Sequence, residues 1–145
     1  MIKIPVIYDG KGNLPEHSTP LSAGVDLRAN ISSSITLHPL DRKIIPTGLS
    51  IALPQGYEAQ VRPRSGLAAE HGVTVLNSPG TIDADYRGDI GVILVNLSQE
   101  PFTILPEDRI AQLVVTQYSQ VKWELVQSLP DSLRGEKGFG STGKK

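Results

Sequence analysis

Proline and glycine recur so densely along this chain that long helices are excluded. Eleven Pro and fourteen Gly are scattered through 145 residues, and no apolar pattern of helical period survives between them beyond about three turns. What fits between the breaks are short runs rich in β-branched residues. Ile35-Thr36-Leu37, Leu49-Ser50-Ile51-Ala52-Leu53, Tyr57-Glu58-Ala59-Gln60-Val61 and Ile90-Gly91-Val92-Ile93-Leu94-Val95 are the strand candidates. Some alternate and one is apolar on both faces, a spacing that suits a sandwich, jelly roll or closed barrel. The chain therefore reads as all-β. One brief helix is expected, with Ser65 as its cap, Gly66-Leu67-Ala68-Ala69-Glu70-His71 as one or two turns, and Gly72 as its end.

The length fits one domain with a real core, small enough to gain from assembly. A formal charge of -1 gives no reason to expect a nucleic acid polymer or an anionic membrane as partner, so any bound anion must be met by local residues. The absence of cysteine removes disulfides, thiolate metal sites and thiol nucleophiles together, and fits a reducing compartment. MIKIPVIYDG at the start has no long apolar signal region, and no window approaches a membrane span. A cytoplasmic location is the expectation.

From Ser128 onward the composition changes to SLPDSLRGEKGFGSTGKK, whose only sizeable apolar residues are Leu129, Leu133 and Phe139. Two segments follow: a β domain over 1–127 and a mobile arm over 128–145. The closing GFGSTGKK has the Gly, Gly and Lys of a P-loop at Gly138, Gly143 and Lys144, but Lys145 occupies the hydroxyl position. No strand–turn–helix context is available there, so a P-loop is rejected.

Several stretches could carry chemistry. Pro63-Arg64-Ser65-Gly66-Leu67 joins a strand end to the helix start, where free N–H groups, a close-approach glycine and a planar cation are the parts of a phosphate site. The plain alternative is a cap beside a solvated arginine. Gly80-Thr81-Ile82-Asp83-Ala84-Asp85-Tyr86-Arg87-Gly88-Asp89 holds three carboxylates and a tyrosine. In an extended strand Asp83 and Asp85 share a face, so one could be held inward as a base; otherwise this is a polar hairpin. Asn77, before Ser78-Pro79-Gly80, either starts a turn or offers the donor and acceptor that reading a pyrimidine edge requires. Asp26 in Ala23-Gly24-Val25-Asp26-Leu27 and the polar pair in Arg109-Ile110-Ala111-Gln112-Leu113 have structural alternatives too. Asp26 would pair with an arginine, and Arg109 and Gln112 would satisfy buried backbone groups.

In order, AGVDL, RPRSGL, GTIDADYRGDI, RIAQL and RGEKGFGSTG resemble the five motifs of the trimeric dUTPases, from Ala23 to Gly143. The resemblance implies a jelly-roll-like β domain assembled as a homotrimer, with active sites shared between subunits and closed by the C-terminal arm. It implies hydrolysis of dUTP to dUMP and pyrophosphate, limiting uracil in DNA and supplying dUMP for thymidylate synthesis. By matching position, Asp83 would deprotonate the water attacking the α-phosphate; an ordinary carboxylate is ionised at neutral pH and needs no special tuning for this. Arg64, Ser65 and Gly66, with Gln112, would hold the triphosphate. Asn77 and the backbone of Thr81, Ile82 and Asp83 would read uracil, and Tyr86 would pack under the deoxyribose. Arg134, Phe139, Gly140, Ser141 and Thr142 would close over base and phosphates. Mg²⁺ would bridge phosphate oxygens, with Asp26 holding one of its waters.

Two positions depart from the family pattern. Lys137 stands where a glycine is usual, and Val25 where a larger apolar residue is common; neither removes a group the chemistry needs. Two rival readings share the fold. A dCTP deaminase would need a glutamate where Ile93 stands, and isoleucine cannot shuttle a proton. A catalytically silent nucleotide-binding regulator is the other, and it is opposed by the joint presence of all the site residues.

Overall fold

The computed structural model describes residues 2–138. Their eleven strands are β1 (Val6–Tyr8), β2 (Val25–Arg28), β3 (Ile35–Leu37), β4 (Arg42–Pro46), β5 (Leu49–Ile51), β6 (Tyr57–Arg62), β7 (Val73–Val75), β8 (Gly80–Ile82), β9 (Gly91–Asn96), β10 (Phe102–Ile104) and β11 (Arg109–Gln117). One helix, α1 (Ser65–His71), separates β6 from β7. All four expected strand runs are present, though the second stops at Ile51, the third ends one residue later at Arg62, and the fourth is shifted by one residue to Gly91–Asn96. Every pairing between strands is antiparallel. The sheet orders are β2-β11-β6-β8, β4-β9-β7, β1-β5 and β10-β3. The pairing of β11 with β2 and β6, strands far from it in sequence, is the jelly-roll-like feature that brings distant motifs to one rim.

A single apolar cluster fills the interior. Leu27 from β2, Ala59 and Val61 from β6, Val92 and Leu94 from β9 and Ile110, Ala111 and Leu113 from β11 are all buried in it. In β6 the alternation is plain. Ala59 and Val61 face the core, while Glu58, Gln60 and Arg62 form a polar ladder on the other face. Gln60 Nε2 donates to Glu58 Oε1 at 2.7 Å, and Arg62 donates to Gln60 Oε1 from Nε at 3.0 Å and Nη2 at 2.7 Å.

One buried polar residue organises a loop. Asn96 is fully buried, and its carboxamide donates to the carbonyls of Leu37 and Glu100 and accepts from the amide and hydroxyl of Ser98. All four hydrogen-bonding positions of that side chain are thereby used. Fastened this way, the 96–101 connection ties β9 to the β3–β10 ribbon.

α1 ends as expected, but its cap differs from the expected one. Gly72 lies in the left-handed region at φ 63°, with its N–H directed to Ala68 and Leu67 carbonyls. At the other end the extended residue is Arg64, whose carbonyl accepts from the Ala68 amide at 3.1 Å. Ser65 is the first helical residue and does not cap; no side chain does. The reason is that Arg64 leaves β6 still extended, and its guanidinium is directed across the sheet rather than back to the helix.

Beyond Gln117 the described chain forms no further strand or helix, and residues 117–137 are all exposed. The large side chains Trp123 and Leu125 are 90% and 101% exposed. No helix among the described residues is long and apolar enough to cross a membrane.

Candidate active site

The site begins with the register of β11. Gln112 lies opposite Asp26 of β2 on one side and Arg62 of β6 on the other, two residues before Arg64. Motifs separated by more than eighty residues therefore meet at one rim. Asp26 forms an ion pair with Arg64, Oδ1 lying 3.1 Å from Nε, and accepts a hydrogen bond from Arg109 Nη1 through Oδ2 at 3.3 Å. Arg64 also donates from Nη1 to the Arg109 carbonyl at 3.2 Å. Gln112 Nε2 donates to the Pro63 carbonyl at 3.0 Å, while its Oε1 lies over Gly24, where a Cβ would stand 2.7 Å from it. Gly24 is thus the residue that lets this amide lie down against the backbone. Ser65 and Gly66 follow on the exposed start of α1.

Two of the structural alternatives raised by the sequence are present here. Asp26 does pair with arginine, and Gln112 does satisfy a backbone carbonyl. Arg109 differs from its expected structural role: its guanidinium goes to Asp26 and not to a buried backbone group.

The acidic segment is a turn rather than a strand. β8 stops at Ile82, and the Tyr86 amide bonds back to the Asp83 carbonyl at 3.1 Å. Asp83 and Asp85 consequently do not share a sheet face, and both are exposed. The expectation of an inward-held carboxylate is corrected by this turn: alternation applies only where the chain stays extended. Arg87 braces the turn from its far side, donating from Nη1 to the carbonyls of Ala84 and Tyr86 at 2.7 and 2.9 Å. Tyr86 lays its ring over Gly88 and donates its hydroxyl to the Asp89 carbonyl at 2.9 Å. Asp89 itself is structural, its Oδ1 accepting from the Leu49 amide and from Thr47 Oγ1. Asn77 is exposed on the turn before β8, its amide beside Gly80. Thr81 is exposed and Ile82 half-buried on β8.

The two groups do not meet within one chain. β8 runs antiparallel to β6 with Ile82 opposite Ala59, so Asp83 lies toward the start of β6, whereas Arg64 lies beyond its end. At about 3.3 Å per residue the two are separated by a distance on the order of 20 Å. Arg134 lies on a separate exposed turn, with Nε donating to the Lys137 carbonyl at 2.8 Å. Phe139, Gly140, Ser141 and Thr142 lie outside the described residues.

Arg87, Arg109 and Gly24 were the residues whose placing the sequence did not reveal. Each acts through a contact beyond its own motif's obvious chemistry, and those motifs contained more conspicuous candidates.

With a cationic rim at one end of β6 and an acidic turn at the other, the molecule is a jelly-roll-like β domain carrying two separate polar clusters. The dUTPase family profile matches residues 11–143. Deoxyuridine 5'-triphosphate nucleotidohydrolase of Fusobacterium nucleatum subsp. nucleatum is 53% identical over 143 residues, covering 99% of this chain and 98% of that protein. The chain belongs to the dUTPase family. Among solved structures, Staphylococcus bacteriophage 80alpha dUTPase with dUPNHPP superposes with a TM-score of 0.89 at 25% identity, covering 99% of each chain. A mutant dUTPase from phage phi11 of S. aureus, described with a structural Mg(II) ion, superposes at 0.80 and 20% identity, covering 90% of this chain and 100% of that one.

Proposed function

We propose that the protein hydrolyses dUTP to dUMP and pyrophosphate in an active site shared between copies of the chain. Family membership supports the substrate, and one observation carries the sharing: Asp83 and Arg64 lie at opposite ends of β6. A carboxylate base and the phosphate-binding cations must stand a few ångströms apart to act on one α-phosphate. The acidic turn of one chain therefore serves the cationic rim of another. A homotrimer supplies three such junctions, and the exposed Trp123 and Leu125 on the segment after β11 support assembly through that segment.

In this reading Arg64, Ser65, Gly66 and Gln112 bind the phosphate chain. Arg64 is ion-paired with Asp26 through Nε and gives one Nη1 hydrogen to a backbone carbonyl, which leaves its other Nη hydrogens for oxygens of the substrate. Asn77 and the β8 backbone orient the uracil, and the Tyr86 ring, pinned by its own hydroxyl, supports the deoxyribose. Asp83 takes a proton from water as the water oxygen bonds to the α-phosphorus. The bond from that phosphorus to the bridging oxygen of the β-phosphate breaks, and pyrophosphate leaves with the electron pair. Arg134, Phe139, Gly140, Ser141 and Thr142 complete the binding of base and terminal phosphate and exclude bulk water. The arm over 128–145 closes on the 1–127 domain in this way.

The donors present fit Mg²⁺ only as a hydrated ion. No group of three or more His, Cys, Asp or Glu side chains among the described residues could hold a metal directly. Asp26, which accepts from Arg109 and is ion-paired with Arg64, keeps lone pairs that can accept from a metal-bound water. When bound there, the ion would supply charge neutralisation for the leaving pyrophosphate.

The purified protein, mixed with Mg²⁺ and each deoxynucleoside triphosphate in turn, should form pyrophosphate and monophosphate from dUTP selectively. Asp83→Asn should lower kcat by at least about a hundredfold, the scale of a lost general base, with the oligomer intact by light scattering. Inertness toward dUTP, or equal turnover of dTTP, contradicts the proposal.

A further inference from the structure

Arg109 reaches Asp26 because β11 is irregular at that point. In a regular strand Arg109 would share a face with Ala111 and lie opposite to Gln112. The register against β2 shifts between Arg109, paired with Arg28, and Ala111, paired with Leu27. Ile110 and Ala111 are consecutive and both buried, and the shift in parity returns Arg109 to the side of Gln112 and Asp26. An irregularity of this kind re-aims a side chain and is common beside functional sites.

Its consequence is electrostatic. One carboxylate, Asp26, stands between two guanidiniums. With Arg64 alone, Asp26 would form a neutral pair at the place where the phosphate chain is to bind. With Arg109 added, the cluster is net positive. Arg109 also holds Arg64 a second way, through its own carbonyl at 3.2 Å. Both cations remain partly open to solvent, at 28% and 50% side-chain exposure.

We infer that Arg109 is a positioning residue for the phosphate site: it orients Asp26 and Arg64 and supplies the charge that keeps their cluster attractive to a polyanion. This rests on the triphosphate reading of the site given above. It assigns Arg109 no contact with the reacting atoms.

The test is equilibrium binding of a nonhydrolysable dUTP analogue, without metal and at several salt concentrations, with light scattering and a thermal melt for each variant. Arg109→Gln should weaken binding about tenfold and flatten its salt dependence, the scale of losing one charge near a bound anion. Arg109→Lys, which keeps the charge and loses the fork, should stay within about threefold of the parent. The double variant Asp26→Asn/Arg109→Gln restores a net positive cluster and should bind more tightly than Arg109→Gln alone. A purely structural role would move the melts but not this charge-ordered series. Parent protein that does not bind the analogue overturns the triphosphate reading and this inference with it. Parent binding with unchanged affinity in Arg109→Gln, or no recovery in the double variant, overturns the inference alone.

Discussion

Tyr8 links the ionisation of a single side chain to folding. It packs half-buried against the core, and that burial, reinforced by the nearby negative charges of Glu107 and Asp9 and opposed by Arg28, raises its phenol above the usual tyrosine range. A raised phenol favours the neutral form in the folded state. The associated stability is whole below pH about 10 and is lost as pH rises through the folded-state value, because the unfolded chain ionises first. Tyr8→Phe keeps the ring and removes the ionisation. Urea midpoints measured from about pH 8 to 11, across the ordinary phenol range, should therefore fall less steeply for Tyr8→Phe than for the parent, and equal slopes contradict this. At this scale residue identity was legible in the sequence and direction was not. Ser65 has the chemistry of a cap, yet Arg64 occupies the capping position. Asp83 has the chemistry of a base, but the turn at Asp83–Tyr86 removed the inward direction that strand alternation implied.

At the level of elements, periodicity and punctuation did most of the work. The four strand runs were readable because β-branched residues alternate or cluster between Gly and Pro, and the end of α1 because a left-handed position favours glycine. The β2–β11 and β6–β11 pairings were not readable, since nothing local in β11 names its partners. They depend on which apolar faces close one interior. Asn96 illustrates the same gap: VNLSQE reads as the end of a strand, while the fold buries the asparagine and fills its four hydrogen-bonding positions. Asn96→Ala leaves the Leu37 and Glu100 carbonyls and the Ser98 amide without that partner. The expected loss of stability is about 2–4 kcal/mol, the range for unmaking a buried polar network. Denaturant unfolding checks it, and a change below about 1 kcal/mol would show that water replaces the side chain without penalty.

For the whole molecule, the fold class was legible from the residues, whereas sharing of the site between subunits was implied by the family resemblance alone. A list of motifs places Arg64 and Asp83 together by implication; the antiparallel β6–β8 register places them apart. The segment after β11 also misled by composition. Val121, Trp123, Leu125 and Val126 look like interior residues, so the change in composition falls at Ser128, whereas the last strand ends at Gln117 and these side chains are exposed. Both facts fit the proposal that copies of the chain complete one another's sites. The most direct measurement is complementation. Arg64→Ala and Asp83→Asn chains, each inactive alone, are unfolded, mixed in equal amounts, refolded and assayed for dUMP release from dUTP. A site drawing its cationic rim and its acidic turn from different chains predicts recovery of about a quarter of parental activity for random assembly. A site complete within one chain predicts none, and an inactive mixture of correctly assembled oligomers would contradict the account.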